Sequence, residues 1–539
     1  MKAREVVWST AVGRCALAIV TSLSRAPVSA RAGAFVSARA GAFVSARARA
    51  FVSARARAFV SARARAFVSG CALALVVSGC TLGPNYQPAP PKPGAEAPLV
   101  SVSAAAETSA EPPDDWWRLY HDPTLDKLLE EAFAANADLK VAEANLQAAR
   151  ASLDIARDAF LPQTKAEVGS TRGRDAGTDE ILELTGRRPQ TIWVHEAILS
   201  LGYELDYLGR VRRSVESARA DAEAVAAAHD SVKITVAAET ARAYAQVCAF
   251  GEQIEVAKRS LEIVSREADI TVHRNEAGAN SQFDVVRSQQ LVAQVRAGIP
   301  PLEGQRRAAV FQLAALLGRT PSNAPTEVNQ CVVPPHLTDL VPVGDGATLL
   351  KRRPDVRQAD RRMASATARI GVATADLYPR VTLKALYGTV TADINEFTSA
   401  DAITWGIGPS VSWTFPNMAG PRARVRAAKA GAVAALANFD SVVLQALKET
   451  EQALSTYGSE LERRQALSDA QQKAHQAFDM AHDQFLAGSL SNLDLLTTEQ
   501  ALVAADAAVA TSDTALIQDQ IAVFKALGGG WRGVEVASR

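Results

Sequence analysis

The chain has 539 residues, 48% of them hydrophobic and 22% charged, which is enough for several ordinary domains. The formal net charge is zero, but residues 1–79 carry eleven arginines, Lys2 and only one acid, Glu5. Of the 58 basic and 58 acidic residues, 46 basic and 57 acidic ones therefore lie in residues 80–539. An acidic body of this kind lacks the basic footprint that binding to nucleic acid requires, so nucleic acid is excluded as a partner.

Motifs for catalysis and metal binding are missing from the sequence. The five cysteines form no CxxC pair and no Cys/His cluster at metal-ligand spacing. No nucleophile elbow, P-loop, dinucleotide-binding glycine motif or HExxH zinc motif is present. His475 and His482 are seven residues apart and could share a helix face, but solvated histidines on a helical wall are the simpler interpretation. The sequence predicts no catalytic residue, no metal site and no cofactor.

Residues 1–79 are typical of a secretory signal region. Residues 31–69 repeat an eight-residue unit with an A-F-V-S core, and this basic stretch leads into a short apolar segment. The segment ends in Val-Ser-Gly-Cys80, which resembles a bacterial lipobox and predicts Cys80 as the lipid-bearing first residue of the mature protein. A proline-rich run follows, so we expect residues 80–137 to be a lipid-anchored extended segment. Thr81, where Asp would favour retention, indicates sorting to the outer membrane.

The body of the chain is an internal duplication. Matching residues lie 217 positions apart before the predicted strands and 210 positions apart after them. The repeated matches predict two copies of one unit. The change of offset from 217 to 210 predicts a longer loop in the first copy. The first repeat covers residues 138–317, an inter-repeat linker 318–354, the second repeat 355–530 and a C-terminal tail 531–539.

Each repeat predicts the same elements in the same order. An alanine-rich amphipathic helix comes first, over 138–160 and 355–377, and it ends before Pro162 and Pro379 because proline cannot continue a helix. Two strands follow, and then two long helices. The predicted long helices cover residues 210–274 and 282–317 in the first repeat, and 421–484 and 492–527 in the second.

The predicted strands alternate between apolar and polar residues. In 199–207 and 405–415 the odd positions are apolar or aromatic with few exceptions, whereas 381–388 alternates less clearly and 163–170 poorly. A sandwich strand would alternate in the same way, so alternation alone does not decide between a sandwich and a barrel. The residues predicted to face lipid are Leu199, Leu201, Tyr203, Leu205, Ile407, Val411 and Trp413; those predicted to face a lumen are Ser200, Gly202, Glu204 and Ser410.

The number of strands decides in favour of a shared barrel. Four strands cannot close a membrane barrel, which needs about eight or more. An open sheet edge in lipid would leave backbone groups unpaired. No run of 18 apolar residues occurs after residue 80, so the sequence predicts no transmembrane helix there. Three chains would supply twelve strands, and helices of roughly 60 residues would extend about 90 Å at ~1.5 Å per residue.

Two short turns between the long helices carry the same residue types. Glycine ends one helix, and Ser-x-x-Asp starts the next with serine as the N-cap and an acid near the positive end of the helix. The residues are Gly278, Ser281 and Asp284 in the first repeat, and Gly488, Ser491 and Asp494 in the second, with Leu490 between Gly488 and Ser491. They predict two tight helical hairpins with capped ends.

Several motifs make the chain resemble the outer membrane factor family, the TolC-like ducts, and within it the NodT-type lipoprotein branch that serves resistance-nodulation-division efflux systems. The motifs occur in family order over about residues 80–530. They are Cys80–Tyr86, Trp116-Trp117, Asp122–Asp126, Asn145–Ala151, Leu316–Gly318 and Arg352–Arg357.

The resemblance implies a mainly α-helical chain that forms a homotrimer, with a 12-stranded outer-membrane β-barrel, four strands per chain, on a long α-helical barrel. It implies a passive exit duct, anchored in outer-membrane lipid, that conducts small molecules from an inner-membrane RND-type transporter and a periplasmic adaptor to the exterior. In the family the two capped turns form a periplasmic tip that acts as a gate. Asp494 matches an acidic position of the constriction, whereas Leu490 stands where such ducts carry a basic group.

Three other interpretations are weaker. A lipoprotein periplasmic adaptor would have one helical hairpin flanked by β-rich domains, whereas this sequence predicts two duplicated hairpins. A lipid-anchored periplasmic hydrolase would need a catalytic motif. A TolC-like duct for type I protein secretion is the nearest alternative, and the lipobox disfavours it.

Overall fold

A computed structural model of the chain describes residues 81–90, 92–102, 107–108, 110–174, 191–337 and 340–529. The predicted signal region, Cys80 and the tail 531–539 lie outside the described residues, as does most of the loop between the first two long strands. All of the described residues belong to one structural unit of the chain.

The described part of the chain is mainly helical, and the two repeats contain matching helices. The helices are α1 Pro123–Ala135, α2 Ala137–Asp158, α3 Arg210–Glu276, α4 Gln282–Leu316, α5 Gly346–Arg352, α6 Pro354–Ala375, α7 Ala419–Leu486 and α8 Asn492–Ala526. Thus α2, α3 and α4 correspond to α6, α7 and α8. These bounds agree with the predicted helices to within three residues at each end.

The long helices pack side by side as a wall. α3 contacts α2, α4, α6 and α8, while α7 contacts α6 and α8. With 67 residues, α3 is about 100 Å long at ~1.5 Å per residue. Its packed face consists largely of alanines, and Ala237, Ala243 and Ala245 have no exposed surface. Side chains this small let neighbouring helices approach closely over a long distance.

By length and composition, one described helix, α7, contains a stretch that could cross a membrane. This stretch belongs to a 68-residue helix that contacts α6 and α8. We therefore treat α7 as a wall helix. Its exposed apolar side chains include Val433, Leu436 and Leu444.

Four strands form one antiparallel sheet at the end of the wall. The strands of the described chain are β1 Glu107–Thr108, β2 Gln163–Gly173, β3 Ile192–Glu204, β4 Val341–Pro342, β5 Arg380–Thr391 and β6 Ile403–Ser412. The sheet order is β2-β3-β5-β6, so the two hairpins of the duplication meet where β3 pairs with β5. β2 and β6 are its edges, and neither has a second partner among the described residues.

The strand boundaries differ from the predicted ones. β3 begins at Ile192 and ends at Glu204, where 199–207 was expected, and β2 continues to Gly173. The long loop predicted in the first repeat is correspondingly shorter. Leu205 and Trp413 lie just beyond the ends of β3 and β6, so placing them within strands was wrong. Period-two alternation continues into the residues that lead to a helix, and it does not mark where pairing stops.

The main hydrophobic core lies where the N-terminal segment and the linker cross the helices. Trp116 is buried and stacks on Phe524 of α8, with 4.9 Å between ring centroids. Leu125 of α1 and Leu313 of α4 are almost fully buried in the same cluster. β1 and β4 pair in parallel and join the N-terminal segment to the linker 318–354. The linker is therefore part of a packed belt around the helices.

Arg353 ties this belt to both ends of the second repeat. Its Nη1 donates a hydrogen bond to the carbonyl of Ala526, 2.9 Å away at the C-terminus of α8. Its Nη2 pairs with Asp355 at 2.6 Å and with Glu449 at 2.8 Å. A buried guanidinium is stable here because two carboxylates and the negative end of a helix surround it.

A disulfide fixes the linker to the wall, and nothing in the cysteine spacing predicted it. Cys248 of α3 is bonded to Cys331, with 4.7 Å between their Cα atoms. Arg306 of α4 donates hydrogen bonds to the carbonyls of Asn329, at 2.6 Å, and Cys331, at 2.7 Å. At Gly251, a Cβ atom would lie 2.3 Å from the Cys331 carbonyl oxygen, so only glycine permits this approach.

Removal of this disulfide should destabilise the protein. The bridge joins residues 83 apart, and a loop of that size accounts for up to about 4 kcal/mol of unfolding free energy. We expect Cys248→Ser, Cys331→Ser and the double variant to lose stability equally in denaturant unfolding, because each breaks the same bond. Losses that add in the double variant would contradict a bridge between these two residues.

Candidate functional site

The turn between α3 and α4 is closed by backbone and side-chain caps. Gly278 has φ +76°, and its neighbour Ala279 donates a hydrogen bond to the carbonyl of Arg274 at 2.7 Å, as in a Schellman motif. Ser281 caps α4: its Oγ accepts from the Asp284 N–H at 3.2 Å, and Asp284 Oδ2 accepts from the Ser281 N–H at 3.0 Å. This reciprocal pair is a capping box.

The turn between α7 and α8 has the same construction. Gly488 has φ +75°, and Ser489 donates to the carbonyl of Gln484 at 2.9 Å. Ser491 accepts from the Asp494 N–H at 3.2 Å and donates to Asp494 Oδ2 at 2.6 Å. In a single chain Asp494 is exposed and Asp284 is half-buried. Their carboxylates are therefore both helix caps and charges at the tip of a hairpin.

Leu490 lies within the second turn and packs inward. It contacts a small hydrophobic cluster formed by Ala481 and Phe485 of α7 and Leu495 of α8. The side chain thus helps to close its own hairpin. A direct role for Leu490 in a gate stays a prediction.

Arg274 joins the two hairpins at their tips, and sequence reasoning missed it. Its Nη1 donates a hydrogen bond to the carbonyl of Phe485, 2.6 Å away at the end of α7. Its guanidinium also lies 4.3 Å from the centroid of the Phe485 ring. A cation at the C-terminal end of a helix is electrostatically favourable. The duplication could not show this contact, because it depends on how α3 lies against α7.

A polar seam continues this junction away from the tips. We define it as Glu267 and Thr271 of α3, His482 of α7, and Asn492 and Glu499 of α8. Glu267 lies 3.0 Å from His482, and Thr271 donates to Asn492 at 3.2 Å. Glu267, Thr271 and Arg274 recur at helical spacing, so one face of α3 contributes all three contacts. Polar side chains thus join the hairpins here, next to a small apolar cluster of Val264, Leu291 and Leu496.

The seam contains a buried carboxyl group without a cationic partner. Glu499 is 2% exposed, and one of its oxygens has no hydrogen-bond partner among the described atoms. Burial and the nearby Glu267 carboxylate raise the pKa of Glu499 to about 8. Burial also raises the pKa of Glu267, against the opposing effect of His482. One proton held by Glu499 at neutral pH removes the repulsion between the two carboxyl groups.

The two histidines on α7 do not meet. His475 lies 3.0 Å from Asp506 of α8, whereas His482 faces Glu267. Among the described residues, no group of three or more His, Cys, Asp or Glu side chains is arranged to hold a metal ion.

The second candidate site is the apolar face of the sheet. Leu199 pairs with Tyr387 and Tyr387 with Trp405, so these three side chains share one face. Leu201, Ala385 and Ile407 form the next row of that face. The other predicted members also fall there, since Tyr203 pairs with Leu383 and Val411 with Val381. Tyr387, Trp405, Ile407 and Val411 are strongly exposed in a single chain.

The opposite face of the sheet is polar or carries glycine over much of its length. Gly202 pairs with Lys384 and Lys384 with Gly408, while Glu204 pairs with Thr382 and Thr382 with Ser410. Ser200 belongs to this face as well, next to Leu386. Leu205, beyond β3, donates its backbone N–H to Val381 at 2.9 Å. Trp413, beyond β6, donates from Nε1 to the Leu377 carbonyl at 3.1 Å.

Comparison with known proteins identifies the family. A model of the outer membrane efflux protein family matches residues 128–319 and 347–529, once in each repeat. The chain belongs to the outer membrane efflux protein family. It is 28% identical to nodulation protein T of Rhizobium leguminosarum bv. viciae over 471 residues, 86% of this chain and 94% of that protein. It is 29% identical to the pyoverdine export outer membrane protein OpmQ of Pseudomonas putida over 451 residues, 83% of this chain and 94% of OpmQ.

A solved structure of a related channel agrees with this assignment. The outer-membrane channel OprN is 32% identical and superposes with a TM-score of 0.77, covering 84% of this chain and 100% of the OprN chain. The predicted TolC-like, mainly α-helical fold is confirmed. As a member of this family, the protein is an outer-membrane channel, the exit duct of a tripartite efflux pump.

Glu499→Gln should stabilise the protein at alkaline pH. In the unfolded chain a glutamate ionises near pH ~4.3, whereas Glu499 holds its proton to about pH 8 in the folded protein. The folded state thus binds more protons between these values, and stability falls as pH rises through that window. Glutamine keeps the neutral form, so the variant should match wild type near pH 4.5 and exceed it by a few kcal/mol at pH 9.

Denaturant unfolding at several pH values measures this difference. Glu303→Gln is the control, because Glu303 is exposed on α4. Parallel pH profiles for wild type and Glu499→Gln would contradict the assignment of a neutral Glu499.

Proposed function

We propose that three copies of the chain pool their sheets into one 12-stranded barrel in the outer membrane. The observation that carries this proposal is the four-stranded sheet, whose edges β2 and β6 are both unpaired within the described chain. Backbone groups at an edge cannot remain unpaired in hydrocarbon. If β2 of one chain pairs with β6 of the next, both edges disappear and the barrel closes.

In this barrel the apolar face of the sheet contacts lipid and the polar face lines the pore. Leu199, Leu201, Tyr203, Ile407 and Val411 then lie in the hydrocarbon region. Exposed aromatic side chains support a membrane boundary at the end of β6, where Trp413 and Phe415 stack at 4.7 Å. Aromatic girdles mark the interfaces of outer-membrane barrels.

A lipid on Cys80 would anchor the same end of the molecule. The adjacent Thr81 lies against Gly209, where an added Cβ would be 2.9 Å from the Thr81 Cα. Leu82 donates a hydrogen bond to the Leu208 carbonyl at 3.0 Å. These contacts hold the start of the mature chain at the junction of β3 and α3, which is the level the barrel requires.

The long hairpins point away from the barrel into the periplasm, and we propose that they meet the other pump components there. The partners would be a periplasmic adaptor and, through it, an RND-type inner-membrane transporter. The names of relatives support export as the role: OpmQ is a pyoverdine export protein, and another relative from Pseudomonas putida is an antibiotic efflux pump outer membrane protein. The chain then acts as a passive duct without catalysis.

The hairpin tips form the resting gate in this proposal. Three-fold symmetry would bring three copies of Asp284 and of Asp494 toward the axis. Arg274 holds the two hairpins of one chain together. It also supplies a cation at the tip, where Leu490 replaces the basic group that related ducts carry. Opening then requires the Arg274 contact to α7 to break, so that one hairpin can move relative to the other.

Arg274→Gln should therefore increase single-channel conductance in planar bilayers. The variant loses the charge that bonds to the end of α7, and the hairpins separate more easily. Arg287→Gln is the matched control, since Arg287 lies over Phe283 of its own helix α4 and has no ion pair to the second hairpin within the described part of the chain. Asp284→Ala and Asp494→Ala should lower cation selectivity and cost at most about 1 kcal/mol in stability. Unchanged conductance and selectivity in all three test variants would place the constriction elsewhere.

Cysteine substitution along β3 tests the lipid-facing assignment. A membrane-impermeant thiol reagent should label Cys at positions 200, 202 and 204, and should leave Cys at 199, 201 and 203 unlabelled. A substitution to Arg gives a second test: on the lipid-facing side at the membrane midplane it should cost ~2–4 kcal/mol of stability, and on the lumen side far less. Labelling without a period of two would rule out this orientation.

Cys80→Ser tests the anchor. The variant should lose metabolic labelling with palmitate and accumulate as an uncleaved precursor, because the thiol is the site of acylation. Channel activity should survive in part, since the barrel also holds the protein in the membrane. Labelling equal to wild type would show that another residue carries the lipid.

A further inference from the structure

The start of α7 has an unusual concentration of positive charge. Residues 402–439 contain Arg422, Arg424, Arg426 and Lys429 and not a single Asp or Glu. All four basic side chains are exposed. Among the described residues, none of the four has an ion pair. The charge is therefore available to bind something outside the chain.

The duplication shows that the first repeat balances this charge with acidic residues. The corresponding turns of α3, 210 positions earlier, carry Glu216, Asp221 and Glu223. These acids form ion pairs within the chain, such as Arg213–Glu216 at 2.7 Å and Arg369–Asp221 at 2.8 Å. In α7 the three acidic positions are replaced by arginine, glycine and valine, at 426, 431 and 433. The first repeat keeps basic residues at two of the matching basic positions, Arg212 and Arg219, but has acids among them, whereas the second repeat has none.

Three of the basic residues form a stripe along one face of α7. Arg422, Arg426 and Lys429 are spaced by four and three residues, which places them above one another on a helix. We call them the basic stripe. Arg424 is rotated by about 200° from Arg422 at ~100° per residue, so it lies on the other side of the helix.

The basic stripe lies on the same face of α7 as the N-terminal segment. Asp440 follows Arg422 by 18 residues, which is five helical turns, and it pairs with Lys92 at 3.4 Å. Farther along this face, Glu451 accepts hydrogen bonds from the backbone N–H groups of Val100 and Ser101, each at 2.8 Å. If Cys80 carries a lipid, the segment must run outside the barrel, because its anchor lies in the surrounding leaflet. The face with the basic stripe is then the outer one.

The basic stripe also lies at the level of the membrane surface. β3 and β6 run in the same direction in the sheet, so α3 and α7 begin at the same edge. Thr81, next to the lipid-bearing Cys80, contacts Gly209 at the start of α3. From Arg422 to Lys429 the helix rises about 10 Å at ~1.5 Å per residue, which is the scale of a headgroup layer.

We propose that the basic stripe binds the phosphate groups of anionic phospholipids in the periplasmic leaflet of the outer membrane. This inference rests on the proposed function, which places the barrel and the anchor. Guanidinium groups bind phosphate through paired hydrogen bonds, and each Arg or Lys near an anionic surface adds about fivefold to the affinity. Three chains would present three such stripes around the barrel, which fixes its depth in the membrane.

Native mass spectrometry of the purified full-length protein in mild detergent tests this proposal. The protein is titrated with phosphatidylglycerol and, separately, with phosphatidylcholine. We expect wild type to prefer phosphatidylglycerol, and the variant Arg422→Gln/Arg426→Gln/Lys429→Gln to lose on the order of 100-fold in its apparent affinity. Arg424→Gln is the matched control at the same depth, and its lipid preference should equal that of wild type.

Three outcomes would overturn the proposal. One is equal binding of the two lipids by wild type, and another is the same loss of affinity in Arg424→Gln. The third is dissociation of the triple variant in lipid-free detergent, which would assign the basic stripe to contacts with a neighbouring copy. Conductance in planar bilayers separates these results from the proposed function, because the triple variant should still form channels like those of wild type.

Discussion

The constraint on which this structure depends is the pair of open edges of its sheet. One chain supplies four strands with an apolar face, and its edge strands β2 and β6 have no further partner within the described residues. Such a sheet cannot enter a membrane alone, because each unpaired backbone group in hydrocarbon costs several kcal/mol. In the proposed trimer, association between copies satisfies the edges, and the helices attached to every strand are then arranged around the same axis.

The duplication makes this association possible, because each repeat supplies one strand pair and one long hairpin.

Along the hairpins the kind of interaction changes. The belt is held by an apolar core, by the buried Arg353 with its two carboxylates, and by the Cys248–Cys331 disulfide. Toward the tips the apolar clusters are small, and the hairpins also meet through Glu267, His482 and Glu499. Polar contacts exchange more readily for water than apolar ones, which is consistent with the proposed gate at the tips.

Features encoded by neighbouring residues could be predicted from the sequence. The helix ends at Gly278 and Gly488 and the caps at Ser281 and Ser491 depend on residues within one turn, so their spacing was sufficient. The faces of β3 and β6 followed from alternation, but the ends of those strands did not, because alternation continues through Leu205 and Trp413.

Features that depend on packing between distant elements could not be predicted. Arg274 and Phe485 are 211 residues apart, and the pKa of Glu499 depends on burial between three helices. The disulfide joins a helix to a linker whose path was unknown. The uncompensated charge of the basic stripe, by contrast, is visible in residues 402–439 of the sequence. The position of the N-terminal segment in the structure was needed to show which way that face of α7 points.

Cross-linking between the edge strands tests the central claim most directly. A cysteine at Ala166 on β2 is combined in turn with one at Trp405, Ile407 or Val411 on β6, all on the apolar face. Within one chain β2 and β6 are about 14 Å apart, three strand spacings of ~4.8 Å, which is too far for a disulfide. The shared barrel predicts covalent dimers and trimers for at least one pair and none for the single cysteines. Absence of cross-linked species at every register would contradict it.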